Sequence, residues 1–462
     1  MSAEIQEILK MKAGFAVSDI TPELGIYLTG YGLPERLANG IHSPLHAGAM
    51  VLDDGKQQAA VISLDWCAVD WELTKWIRTE IFKATGIAEK NILLSSTHTH
   101  SAPHTILDRT LGRTSVDPEN KGVEYAKKST PAIIDAIIRA KDSMREVTAA
   151  FAEGMTETGV SRRGMDRNGV VRGFIADPFA ICDNFMTAVH FKDAETMEDL
   201  GIMIHCSAHN TAMGLDYRIS SDWCGVMKKR IGQRYNVPVI FINGAIGDVG
   251  PRTNRWVAGK TFSGYGAGGG DGESAAEEVG SRAATDALKL LENMRDFRSD
   301  LPLRINTATI TLPQEIHMTE KEAKEIIEKY EGEKGEDGEP SVDYQLAKVA
   351  YETWQQPLQP EFSFEQTVIS FGPLALAPFP FEVFSIFSLR LRKYGPFRYN
   401  LLCSNVNGRN AYFPDKGSIV YGGYEVNCRK TVRPYVLKPE AGDMAVSQTL
   451  DSLETLKISV DL

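Results

Sequence analysis

Apolar and polar positions follow two rhythms along the chain, one of period two and one near 3.6. Residues 48–65 (GAMVLDDGKQQAAVISLD) read as two strands joined at Asp53-Asp54-Gly55, a hairpin signal. Residues 70–85 carry apolar side chains at helical spacing, and Gly86 supplies the stop. Residues 91–96 (NILLSS) read as a short buried strand. Strand, helix and strand at this spacing predict a βαβ unit with a parallel pair.

The same reading continues downstream. MTAVHF and GIMIHCSA, within 186–208, predict a second strand pair, and 237–243 (VPVIFIN) a further apolar strand ending in a glycine-rich turn. Residues 274–294 predict a long helix with Ser274 as N-cap. Residues 300–312 turn β-like, and 319–339 predict a charged helix running into an acidic turn, a solvated insertion. A hairpin around Gly372-Pro373 precedes a helix over 382–394, and 441–457 form an amphipathic helix. No internal repeat or linker interrupts the pattern. The predicted fold is one large α/β domain of mixed sheet layers over 1–462, with a helical insertion at 315–356.

Composition narrows the function classes. The 462 residues are 43% apolar and 24% charged, ordinary values for a globular chain, with a net charge of −11. That acidity argues against a nucleic-acid partner or docking on anionic lipid. No window approaches the ~18 apolar residues of a membrane span, so no stable membrane insertion is expected. The N-terminal stretch MSAEIQEILKMKAGFAV lacks the pattern of a secretory signal. The six cysteines are scattered without a CxxC pair. Together these features predict reduced thiols and a cytoplasmic location. Cys206 and Cys224 lie near a histidine cluster, and the simpler expectation for both is a small buried apolar side chain.

Ligand-type residues gather where predicted strands end, the place where α/β sheets form sites. The first group is Ser96-Thr97-His98-Thr99-His100-Ser101-Ala102-Pro103-His104. In extended backbone His98 and His100 share one face, and two imidazoles together suit a metal, or a metal and a proton transfer. The second group is His205-Cys206-Ser207-Ala208-His209-Asn210, in which one histidine is expected to be structural. The third, Asn243 to Arg252, has glycines for close approach but lacks the endings and spacing of phosphate- or dinucleotide-binding loops. The glycine-rich run from Gly264 to Gly272 reads as a flexible surface loop. Late in the chain, Glu382 is expected at a helix start, where the dipole favours its charge. Tyr412 and Tyr424-Glu425 follow in a Gly- and Tyr-rich stretch, where a lone Glu or Tyr ordinarily reads as surface or packing.

In order, these segments resemble the catalytic domain of the neutral (alkaline, non-lysosomal) ceramidase family. The resemblance runs through AVSDITPELG, LTGYG, GIHSPLHAGAMVLDD, STHTHSAPH, HNTAM, SSDWCG, NGAIGDVGP, PFPFEVF and NAYFPDKGSIVYGGYE. It implies a Zn²⁺ site held by His98, His209, Glu382 and Tyr412, and so selects His209 over His205. It implies His100 and Tyr424 as active-site residues that do not ligate the metal, and Arg162, beside Arg163, as the active-site arginine. Such a donor set suits zinc. Zinc-bound hydroxide would attack an amide carbonyl while His100 moves protons and Tyr424 donates to the oxyanion.

Two departures shape the expected substrate. Gly250 stands where the ceramidases carry a serine near the zinc, and the chain ends at Leu462, where they continue into a C-terminal β-sandwich. The leading expectation is therefore a zinc-dependent amidohydrolase cleaving an N-acyl bond in a small-molecule or lipid-like amide other than long-chain ceramide. The competing readings are a metal-dependent lyase or isomerase of a small polar metabolite, and a non-catalytic metal-containing binding protein.

Overall fold

The computed structural model describes residues 10–32, 36–106, 116–171, 174–253, 272–333, 340–431 and 434–458. Its frame is two β-sheets packed face to face, with helices on both outer sides.

The larger sheet has eight strands. Its spatial order is Val239–Asn243, Asp199–Cys206, Phe185–Asp193, Arg145–Met155, Lys12–Asp19, His46–Asp53, Gln58–Leu64 and Ile92–Ser96. The outermost pair at each end is parallel and the inner pairs are antiparallel. The βαβ unit is present: Asp70 caps the helix Trp71–Thr85 through the Glu72 amide, and Gly86 ends it at φ 75°. Side chains alternate along each strand, so a sheet covered on both faces is apolar on both. Ala47, Ala49 and Val51 pack toward the helices, whereas Met50 and Leu52 pack toward the second sheet.

The helical layer on this sheet includes Lys121–Asp142, which the hydrophobic pattern above does not single out. It lies so close to the strand Lys12–Asp19 that a Cβ on Gly14 would sit 1.8 Å from the Ala140 carbonyl oxygen. The helix Glu273–Glu292 covers the other half of the sheet. Its cap is Gly272, not Ser274, which falls inside the first turn. Residues 264–271 of the glycine-rich run lie outside the described residues. Cys206 and Cys224 belong to the apolar cluster under this helix, where burial raises both thiol pKa values.

The second sheet runs Tyr399–Cys403, Leu374–Pro378, Glu361–Phe371, Leu303–Ile316 and Tyr435–Leu437. One apolar cluster joins the two sheets, with Val61, Phe191 and Ile240 from the first against Ile369, Leu376 and Leu401 from the second. The helices Ser385–Tyr394 and Ala441–Ile458 cover the outer face. Within 315–356 lies a helical hairpin: Glu320–Tyr330, opened by a Thr319/Glu322 capping box, packs on Val342–Trp354.

The edge strands of the larger sheet come side by side. The Ser63 hydroxyl donates to the Phe241 carbonyl at 2.6 Å, and Asn243 Nδ2 donates to the Thr97 carbonyl at 2.7 Å. The Asn407 amide accepts from Leu94 N at 2.8 Å and donates to the Ile92 carbonyl at 3.0 Å. The carboxyl ends of Ile92–Ser96, Asp199–Cys206 and Val239–Asn243 therefore open on one place.

Candidate metal centre and active site

His98 and His100 follow the strand Ile92–Ser96 directly, but not in extended backbone. His98 adopts φ 65°, a left-handed conformation, and this turn brings its Nε2 within 3.3 Å of His100 Nε2. The expected shared face thus arises from a kink rather than from strand alternation. A non-glycine residue in this region carries strain that the surroundings must hold. They do so at the ring, where Nδ1 donates to the Cys67 carbonyl at 2.7 Å and Asn405 Nδ2 lies 2.9 Å away.

His209 follows the neighbouring strand Asp199–Cys206. Its Nδ1 lies 2.6 Å from the Ile246 carbonyl and 3.1 Å from that of Val249. Carbonyls only accept, so Nδ1 carries the proton and Nε2 the lone pair. Burial, reinforced by Arg162, pushes the His209 pKa down to about 3 and keeps the imidazole neutral. His205 faces elsewhere. Its Nε2 donates to the Leu402 carbonyl at 2.7 Å.

Glu382 is not at a helix start. It sits in a two-residue strand, Glu382–Val383, three residues before the helix Ser385–Tyr394. The helix start is served instead by Asp248, which accepts from Ser385 N at 2.8 Å and from its hydroxyl at 2.9 Å. Glu382 Oε2 reaches inward, 3.1 Å from His209 Nε2 and 3.6 Å from His98 Nε2.

Two imidazole nitrogens and a carboxylate oxygen thus face one another in a buried space. Their ligand atoms all lie within 4.8 Å of one another. Such acceptors repel unless positive charge lies among them. A proton on His98 is one source: burial opposes it, but Cys67 and Glu382 prevail and raise its pKa to about 10. Glu382 correspondingly falls well below the ordinary range, its burial outweighed by His98 and His209. A divalent cation is the other source, and it accounts for two further facts. His209 Nε2 and Glu382 Oε2 are buried without a hydrogen-bond partner, and both histidines are locked by backbone carbonyls in the tautomer that presents Nε2 to a metal. The residues fit a zinc-type ion.

Tyr412 is the register partner of Glu382 in the parallel pair Glu382–Val383 with Tyr412–Phe413. Its hydroxyl accepts from Arg162 Nη2 at 3.1 Å. Burial, with Glu382 nearby, raises the phenol pKa well above its usual value, and Arg162 opposes the rise. Arg162 also donates to the Gly247 carbonyl, and its Nε reaches Glu425 at 2.9 Å. Arg163 turns away from Tyr412 and binds the other Glu425 oxygen at 2.6 Å. Glu425, for which surface or packing is the ordinary expectation, is fully buried between two guanidinium groups. Its chemistry was visible only in three dimensions, because its arginine partners lie more than 260 residues away.

His100 stands beside these three groups and itself groups with His98 and Cys67. Burial and His98 hold its pKa well below the ordinary imidazole value. Gly30, at φ 98°, makes room for it: a Cβ there would lie 2.2 Å from the ring. Arg36 braces the same turn, donating to the carbonyls of Thr29 at 2.9 Å and His100 at 2.7 Å. A cavity of about 100 Å³ borders His98, His100, Glu382, Tyr412, Tyr424 and Cys67. Tyr424 packs edge-on to Tyr412 at 5.8 Å. Gly250 is buried and pairs with Val160, in a strand that begins at Val249, whose carbonyl faces His209.

The sequence profile described as "Neutral/alkaline non-lysosomal ceramidase, N-terminal" matches residues 11–294. The chain belongs to this ceramidase family. Among curated ceramidases, neutral ceramidase A of Dictyostelium discoideum is 28% identical over 221 residues, covering 45% of this chain and 30% of the relative. Neutral ceramidase 2 of Arabidopsis thaliana is 25% identical over 257 residues, covering 49% of this chain and 32% of the relative. The chain thus matches about a third of the length of these relatives. The fold is that of the neutral ceramidase of Pseudomonas aeruginosa, with a TM-score of 0.73 at 16% identity over 98% of this chain and 75% of that one. Within this ceramidase fold, no helix among the described residues is long and apolar enough to cross a membrane.

Proposed function

We propose that the protein is a zinc-dependent hydrolase that cleaves an N-acyl amide bond into a carboxylic acid and an amine. The observation that carries this reading is the convergence of His98 Nε2, His209 Nε2 and Glu382 Oε2, two of them without a hydrogen-bond partner, beside a cavity. In this reading those three groups hold the ion and the oxygen of Tyr412, the register partner of Glu382, completes the set. Bound there, zinc supplies Lewis acidity for a carbonyl and for water near neutral pH.

The chain's own residues do the rest. His100, neutral and at the cavity wall, takes a proton from the attacking water and delivers it to the departing amine. Tyr424 lines the cavity where its hydroxyl can donate to the oxygen that becomes negative in the transition state. Arg162 fixes the Tyr412 hydroxyl. Gly250 offers no nucleophile, so no acyl-enzyme forms there. The substrate is an amide smaller or more polar than long-chain ceramide, met in the cytoplasm. Membership of the ceramidase family and the narrow, partly polar cavity among described residues support the amide and its size, respectively.

Hydrolysis in isotopically labelled water tests the reaction class. Label in the acid product supports the proposal, and its absence points to a lyase or isomerase. Fluorescent short- and long-chain N-acyl substrates in detergent test the substrate. A kcat/KM above about 10⁴ M⁻¹s⁻¹ on the long-chain ceramide, ordinary for an enzyme with its own substrate, would overturn the size restriction. Gly250→Ser alone is not expected to create that activity, since the cavity walls also set specificity.

A further inference from the structure

We propose that Cys67 and His100 form a second cation site beside the first, specific for thiophilic divalent ions, at which a second cation silences turnover. The argument starts at His98, whose ring the two residues flank. Cys67 Sγ lies 3.6 Å from His98 Nδ1, and His100 Nε2 lies 3.3 Å from His98 Nε2. The ligand atoms of Cys67, His98 and His100 lie within 4.8 Å of one another, a grouping distinct from that of His98, His209 and Glu382. With His98 Nδ1 donating to the Cys67 carbonyl and Nε2 turned to the first cation, the thiol and the His100 imidazole remain.

Both are available. Cys67 borders the cavity while only 5% exposed, and it forms no disulfide. His100 Nδ1 is buried and has no hydrogen-bond partner, because Gly30 packs against it. Its Nε2 lies 3.3 Å from His98 Nε2, a contact that no longer holds a proton once His98 Nε2 turns to the first cation, and the ring then presents the Nε2 lone pair while the Nδ1 proton stays unpaired beside Gly30. A thiolate and an imidazole on one tetrahedral ion sit about 3.6 Å apart, so closure needs side-chain movement of about an ångström. On binding, the thiol gives its proton to solvent and the cation takes the sulfur lone pair. Soft sulfur selects cadmium or a second zinc over magnesium or calcium. Loss of turnover rests on the proton-transfer role proposed above for His100, whereas the cation site itself does not.

The test uses the full chain loaded with one equivalent of zinc and titrated with cadmium. We expect one further equivalent to bind with the ultraviolet charge-transfer band of a cadmium thiolate, and turnover to be lost in step. Magnesium should do neither. Cys67→Ser should lose the band and the second equivalent while keeping the first zinc, and Cys428→Ser, at the same cavity, should keep both. A band that survives in Cys67→Ser, no second equivalent, or cadmium that displaces the zinc would overturn the site. Band and stoichiometry with undiminished turnover would overturn the silencing, and with it the role of His100. If Cys67→Ser does not fold, alkylation of the wild-type chain decides: cadmium, not the first zinc, should protect Cys67, and an unprotected Cys67 would overturn the site.

Discussion

Glu382 and Tyr412 are register partners in a parallel bridge only two residues long. Thirty residues of chain separate them, yet the pairing fixes their backbones side by side and aims both side chains at His209, whose ring lies 6.4 Å from that of Tyr412. The carboxylate and the phenol therefore behave as one unit.

Metal content should follow this geometry. The purified protein is expected to carry about one zinc per chain, given the affinity ordinary for a protein zinc site. His209→Ala should lose it. His205→Ala should keep it, because the His205 ring serves the Leu402 carbonyl. Elemental analysis of the two variants checks the assignment, and the reverse result would exchange their roles.

His100 should matter for rate and not for zinc. His100→Ala is expected to retain the metal and slow amide hydrolysis by roughly 10²–10⁴-fold, the usual scale for a lost general acid–base. Zinc analysis and turnover measured on the same preparation separate this from a ligand role, in which both would fall together.

Glu425 should be costly to neutralise. It compensates Arg162 and Arg163 with no solvent contact. Glu425→Gln leaves two buried guanidinium groups facing a neutral amide, and breaking a buried pair costs about 3–5 kcal/mol. Urea unfolding should show this loss, and turnover should fall as Arg162 loosens from Tyr412. A variant of wild-type stability would show that the arginines find other partners.

Asp248 should make the fold less stable as pH rises. Burial pushes its carboxyl from 3.8 up to about 7. The folded state then holds a proton that the unfolded chain has released, so stability is full below about pH 4 and declines until about pH 7. At about 1.4 kcal/mol per unit the decline is on the order of 4 kcal/mol. Asp248→Asn keeps an acceptor for Ser385 and removes the titration. Its unfolding free energy should vary less between these pH values than that of the wild type, and parallel pH profiles would contradict the argument.

The hairpins, the βαβ unit and the charged helix Glu320–Tyr330 were legible because their patterns are local. Asp54-Gly55, Asp70 and Gly86 punctuate elements that neighbouring residues already define. The helix Lys121–Asp142 was missed, although its buried face (Tyr125, Ala126, Ile133, Ala136, Ile137, Ala140) is regular. Half of that face is alanine, and the closest approach is made at Gly14, so the apolar periodicity is weak. At the site, the order of motifs brought His98, His209 and Glu382 to notice. What it could not convey was the left-handed turn at His98, the Cys67 and Asn405 supports of its ring, or the burial of Glu425. Each depends on chain brought from far away.

The side chains at the rim of the larger sheet also bear on how copies of this protein behave in a crowd. An outermost strand with unmet amides and carbonyls is a template on which another chain can zip. Here the Phe241 carbonyl is taken by Ser63, and Leu94 and Ile92 are taken by a single amide, Asn407. Beside Ile92–Ser96 the main chain of Asn405 to Asn407 also lies in place, with Asn407 N donating to the Leu94 carbonyl at 3.0 Å and Ser96 N to the Asn405 carbonyl at 3.2 Å, so the row is already occupied and growth of the sheet stops there. Asn407→Ala would free the Leu94 amide and the Ile92 carbonyl and loosen this cover, and aggregation on gentle heating would be its signature.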